Sequence, residues 1–260
     1  MLMAVVAGIE RAVADTPVEG VARRVWSECA SIGHPRARQS LLYDRQTVKI
    51  MERVLRRDSN CIDVGCHKGA VLASICKLAP RGFHFAFEPL PTLCEGLRRR
   101  FPQVRVCDVA LSDRHGVANF CHVVDAPGLS GFRRMGHVPA GARVEEITVR
   151  TERLDDVIPR DLRIGLIKVD VEGAQLEVFR GAMATITRSR PFIIFEHGML
   201  AKESYNTTSD MVYDLLAEGG LDISLLADWL SARPPLDRAM FNRHVGFHPG
   251  SHFCFLAHPR

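Results

Sequence analysis

From Cys61 onward the chain alternates short apolar runs with glycine turns and helical stretches, a rhythm that suits strands paired in parallel through crossovers. The runs that read as strands are 61–64, 84–87, 104–106, 164–169, 192–195 and 253–257. Between them 70–78, 92–100, 175–182 and 209–217 carry helical periodicity. This alternation predicts an α/β fold around a mostly parallel sheet flanked by helices. Residues 117–124 and 146–151 break the rhythm as extra strands around the Gly- and Pro-rich stretch 125–142. An insertion at about 115–150 has the length of a substrate lid; its plainer reading is a mobile surface loop.

Residues 1–57 read as an N-terminal helical cap of the same domain, broken near Gly33, His34 and Pro35, with a second helix over 47–57. Residues 58–260 then form the main body. A chain of 260 residues in this class commonly folds as one domain, and 47% apolar against 25% charged residues supports a sizeable core. The net charge of +4, from 34 basic and 30 acidic side chains, is too small to call for a nucleic-acid partner. Arg98, Arg99 and Arg100 read as a solvated helix end. None of the eight cysteines forms a Cys-x-x-Cys pair, which argues against a zinc ribbon or redox dithiol and fits a reducing cytoplasm. Residues 1–9 read as an amphipathic helix rather than a signal peptide, and no apolar run approaches the length of a membrane span.

The most informative stretch is Asp63-Val64-Gly65-Cys66-His67-Lys68-Gly69, between a strand and a helix. Glycines there admit close backbone approach, and free amides at a helix start favour anionic groups, although turn formation alone also explains the glycines. Asp63 ends the first strand, beside the crevice where open α/β sheets bind ligands. Glu88, followed by Pro89, ends the second strand one βαβ spacing later, where a carboxylate accepts hydrogen bonds from both hydroxyls of a ribose. Together these suit an adenosine-bearing cofactor, either S-adenosylmethionine or a nicotinamide dinucleotide. The absence of a full Gly-x-Gly-x-x-Gly, and Asp108 with Val109 and Ala110 after the third strand, favour the former. In that reading Asp108 meets the adenine amine; its plainer role is to cap a turn. Asp170 and Glu172 follow the fourth strand and His197 the fifth, which makes the three candidates for a catalytic base. Helix-dipole pairing of the acids and a structural histidine are the plainer readings. The spacing requires no metal, and His244, His248 and His252 are interrupted by Pro249 and Gly250.

Four segments carry a family resemblance: Asp63 to Gly69, Ala86-Phe87-Glu88-Pro89, Ala110-Leu111-Ser112-Asp113 and Val169-Asp170-Val171-Glu172-Gly173-Ala174-Gln175-Leu176-Glu177. In order and spacing, over about 43–196, they resemble the FkbM family of methyltransferases, most specifically in the block from Lys168 to Gly181. The resemblance implies a Rossmann-like class I methyltransferase fold, S-adenosyl-L-methionine as cofactor, and oxygen methylation of a small-molecule or glycosidic hydroxyl. It places Asp63, Gly65, His67, Gly69, Glu88, Pro89, Asp108, Val109, Ala110 and Asp170 at the cofactor. The chain departs from the family's usual Asp-Val-Gly-Ala-Asn-x-Gly loop in carrying Cys66 and His67. The competing readings are a nicotinamide-dependent oxidoreductase and a non-catalytic, cofactor-binding regulatory protein.

Overall fold

The computed structural model describes residues 35–134, 136, 138–139, 141–198, 204–246 and 252–260. The readings made for residues 1–9, for Gly33 and His34, and for His248 lie outside them. The chain divides into two compact units, residues 1–47 and residues 48–260. Helix α1 (Pro35–Val54) begins well before the helix expected at Thr47 and stops three residues short of Arg57.

Seven strands of the second unit form one sheet: β1 (Cys61–Val64), β2 (His84–Phe87), β3 (Arg105–Cys107), β7 (Leu166–Val169), β8 (Phe192–Glu196), β9 (Leu221–Leu225) and β10 (Cys254–Pro259). Their order is β3-β2-β1-β7-β8-β10-β9, with β10 antiparallel to both neighbours and the other pairs parallel. Strands β1, β2 and β7 are buried along their whole length, as strands covered on both faces must be. One face packs Ile62, Val64, Phe85, Phe87, Ile167 and Phe195 into the large core; the other packs Ala86 with Leu72, Leu97 and Phe101. Leu72 belongs to α2 (Ala70–Leu78) and Leu97 to α3 (Pro91–Arg100). Strand β9 was not expected from sequence. It is an edge strand of five residues in which Leu221, Ile223 and Leu225 alternate with Asp222 and Ser224, and pairing with β10 is what holds it extended.

The insertion folds as a smaller sheet of β4 (Ala110–Leu111), β5 (Gly116–Val123) and β6 (Val144–Glu152). Strands β5 and β6 correspond to the two extra runs and pair antiparallel, from Gly116 opposite Thr151 to Val123 opposite Val144. The stretch between them turns through a short 3-10 helix at Pro127–Leu129 and pairs Gly131 back onto Cys121.

The core of the main sheet is sealed by aromatic rings. Phe195 is fully buried, with its ring 5.5 Å from Phe179 and 5.9 Å from Phe255. Truncation there leaves a cavity that its close-packed neighbours cannot fill. Phe195→Ala is therefore expected to cost about 3–5 kcal/mol, read as the loss in unfolding free energy by chemical denaturation.

Candidate active site

Main-chain pairing aligns the exits of five strands. Val64 lies opposite Phe87 on one side and Val169 on the other, Phe87 opposite Cys107, and Val169 opposite Phe195. The next residues along these strands are Gly65, Glu88, Asp108, Asp170 and Glu196, so the register brings one glycine and four acids to one edge of the sheet. A cavity of about 320 Å³ opens over this edge. Gly65, His67, Glu88, Pro89, Val109 and Ala110 line one part of its wall; Asp170, Glu172 and Glu196 line another. The insertion contributes Phe120, Ser130, Gly131 and Phe132, and the two aromatic rings meet edge to face at 5.7 Å.

Glycine is obligatory at position 65. Its φ is +72°, and a Cβ would stand 1.8 Å from the Asp170 carbonyl oxygen. The exits of β1 and β7 therefore touch through backbone, and the Asp170 amide donates to the Val64 carbonyl at 3.0 Å. His67 has a φ of 48° and directs its amide at Glu88 Oε2, 2.9 Å away, while the Leu90 amide donates to Oε1 at 3.1 Å. Burial raises the Glu88 pKa and these two amides oppose the rise. Each carboxylate oxygen retains a second lone pair for another donor.

Asp63 sits one pleat below the rim, with its backbone register partner Lys168 on the neighbouring strand. It is 2% exposed, and its Oδ2 has no hydrogen-bond partner. Burial pushes its pKa up to about 7; Lys168 pulls it down, and Asp170 and Glu88 push it further up. Lys168 Nζ lies 3.4 Å from Asp170 Oδ2. Burial works against the Lys168 charge, but the carboxylates of Asp170 and Glu196 outweigh it and hold its pKa above the usual lysine value. The turn beyond Asp170 is tight, with φ of 48° at Glu172 and 100° at Gly173.

Four residues placed at the site from sequence do not line the cavity. Asp63 lies beneath it, and Gly69 packs under Phe101 and Leu97, where a Cβ would come within 2.6 and 2.9 Å of their side chains. Asp108 is half-exposed and engaged by Arg98 at 3.2 Å and Arg150 at 3.4 Å, leaving Val109 and Ala110 to face inward. His197 is buried in a structural network instead of facing the cavity. Gln175 Nε2 donates to its Nδ1 at 2.6 Å, which leaves the Nε2 proton to point toward Ser209 Oγ at 3.1 Å, and its ring stacks on Phe241. Burial pulls its pKa down to about 4.

Sequence reasoning passed over Glu196, Lys168, Phe120 and Phe132. Glu196 precedes His197 at the same strand end. Lys168 is an ionisable side chain inside an apolar strand, a placement that calls for partners. The aromatic pair had no signal, because only the folded insertion brings the rings to the cavity. Among the described residues no cluster of three or more His, Cys, Asp or Glu side chains is arranged to hold a metal ion, and no helix is long and apolar enough to cross a membrane.

The buried acid makes a stability prediction. An exposed aspartate loses its proton near pH 4, whereas folded Asp63 keeps its own to about pH 7. Between those values the folded chain binds more protons than the unfolded one, so this group's contribution to stability falls as pH rises. Asp63→Asn is expected to flatten the decline in Tm from pH 4.5 to pH 7.5; a decline equal to that of the unsubstituted protein would contradict the assignment.

Comparison with known proteins matches residues 63–222 to the methyltransferase FkbM domain. The chain is 33% identical over 174 residues to the 2-O-methyltransferase NoeI of Sinorhizobium fredii (strain NBRC 101917 / NGR234), a match covering 61% of this chain and 70% of NoeI. It is 29% identical over 217 residues to the AMB antimetabolite synthetase AmbE of Pseudomonas aeruginosa, covering 68% of this chain and 10% of AmbE. The crystal structure of methyltransferase FkbM from Methylobacillus flagellatus KT superposes with a TM-score of 0.49 at 16% identity, covering 78% of this chain and 44% of that one. The chain thus spans a tenth of AmbE and less than half of the crystallised protein. The domain match sets aside the oxidoreductase reading. With more than half of its residues inside that domain, the chain belongs to the FkbM family of methyltransferases, for which S-adenosylmethionine is the methyl donor.

Proposed function

We propose that this protein methylates a hydroxyl group of a sugar, glycolipid or other small natural product inside the cavity over the strand exits. The observation that carries the reading is the shared edge, which sets Glu88 on one side of a single cavity and Asp170, Glu172 and Glu196 on the other. The similarity to a 2-O-methyltransferase supports oxygen as the methylated atom. The free thiols of Cys61, Cys66, Cys76, Cys94, Cys107 and Cys121 suit a cytoplasmic enzyme.

The residues present fit S-adenosylmethionine. Glu88 offers two fixed carboxylate oxygens to a vicinal diol such as that of ribose, Val109 and Ala110 offer small apolar surfaces to an adenine, and Asp63 holds an unpartnered buried oxygen beneath the Gly65 turn. When bound, that donor supplies an electrophilic methyl group on a sulfonium. The protein's own work is to place the acceptor oxygen and receive its proton. We assign proton acceptance to Asp170 or Glu172, both at the cavity wall, and not to His197, whose ring nitrogens are engaged elsewhere. Phe120 and Phe132 supply an apolar surface suited to one face of a sugar ring.

Two measurements test this reading. Glu88→Ala is expected to weaken binding of S-adenosylhomocysteine by roughly 10- to 100-fold in calorimetry, the size of one or two hydrogen bonds to a charged group. Asp170→Asn and Glu172→Gln are to be assayed with labelled S-adenosylmethionine against a panel of glycosides. The variant that removes the base is expected to lose about 10²- to 10⁴-fold in kcat while product affinity stays within a few-fold. Full turnover in both variants excludes them as the base, and an unsubstituted protein that binds cofactor but methylates nothing in the panel favours the non-catalytic reading.

A further inference from the structure

Lys168 has no part in the reaction as proposed above, yet it is a buried cation, 6% exposed, in the middle of the sheet. Alternation along a strand sends residues i and i+2 to the same face, and partners in adjacent parallel strands share a face. Lys168 and Asp170 are two apart on β7, Asp63 is the register partner of Lys168 on β1, and Ile194, its partner on β8, is two residues before Glu196. One face therefore gathers an ammonium and three acidic side chains, with the ammonium beneath the acids of the cavity floor. The contact to Asp170 Oδ2 is 3.4 Å, and Nζ also lies 3.5 Å from the Val169 carbonyl.

The charged and titratable groups around this ammonium come from every strand packed against it: Asp63 from β1, Asp170 at the end of β7, Glu196 from β8 and Cys254 from β10. Glu88 acts at one remove, through Asp63. Without a cation the acids would repel one another in a site that already disfavours charge, and protonation would relieve them.

We infer that Lys168 is a positioning residue for methyl transfer, a buried cation that holds the Asp170 carboxylate in place along the cavity floor. This rests on the reading of Asp170 as an acid of the reaction site. Lys168 does not touch the acceptor. It acts by fixing the direction of the Asp170 carboxylate beside two other acids.

The test reads kcat against KM with labelled S-adenosylmethionine and a glycoside that the unsubstituted protein methylates. A misplaced reacting group costs up to about 100-fold in rate. Lys168→Met is therefore expected to lower kcat by roughly 10- to 100-fold while the affinity for S-adenosylhomocysteine stays within a few-fold, and Lys168→Arg, which keeps the charge, to recover most of the loss. If Lys168→Met does not fold, Asp63→Asn/Lys168→Met is compared with Asp63→Asn alone, with the same loss expected. An unchanged kcat on loss of the ammonium overturns the role of Lys168, whatever Asp170→Asn does to turnover. Full methyl transfer by Asp170→Asn overturns Asp170 as an acid of the site, and with it the positioning role, even where Lys168→Met lowers kcat; an unsubstituted protein that methylates nothing in the panel overturns the reading on which both rest.

Discussion

The site depends on the register of the parallel ladder. Hydrogen bonds between β1, β2, β3, β7 and β8 hold Val64, Phe87, Cys107, Val169 and Phe195 at one level, and the residue after each then emerges at one edge. Because side chains alternate between faces, a slip of one residue in any strand would send its acid to the opposite side of the sheet. The close approach of Gly65 to the Asp170 carbonyl works in the same direction, since it brings the two central strand exits together where a larger residue would separate them.

Gathering acids in one place has an electrostatic consequence that the fold answers locally. Glu88 is held by two main-chain amides from the loops around it. The pair of Asp63 and Asp170 is answered by a lysine drawn from within β7. Asp108, farther out, is answered by arginines from α3 and β6 and stays at the surface. Local compensation of this kind lets the cavity retain carboxylates without leaving a buried charge unopposed. The insertion closes the arrangement with apolar surface: Phe120 packs with Leu90 and Ala110 and, with Phe132, forms one side of the cavity.

Much of this was legible along the chain. Helix α2 and strands β1 and β2 fall at their expected residues, because short, mostly apolar runs beside glycine turns permit few other arrangements. Glu88, Asp170 and Glu172 were found because strand ends beside glycine turns are where an open parallel sheet exposes polar groups. His197 and Asp108 were read by the same rule, and it placed both at strand exits but could not tell which way they are engaged. Glu196, adjacent to His197, is the residue of that pair that reaches the cavity.

By itself the sequence determined most of the strand and helix segments, the two extra strands of the insertion and the membership of the FkbM family, all of which rest on local pattern and on motifs a few residues long. Only the tertiary structure decided which acids share a cavity. It turned Asp108 toward Arg150, 42 residues away, enclosed His197 between Gln175 and Ser209, and set Lys168 beneath Asp170. The physical reason is that a side chain's charge state and direction are settled by whatever packs against it, and these neighbours arrive from distant parts of the chain.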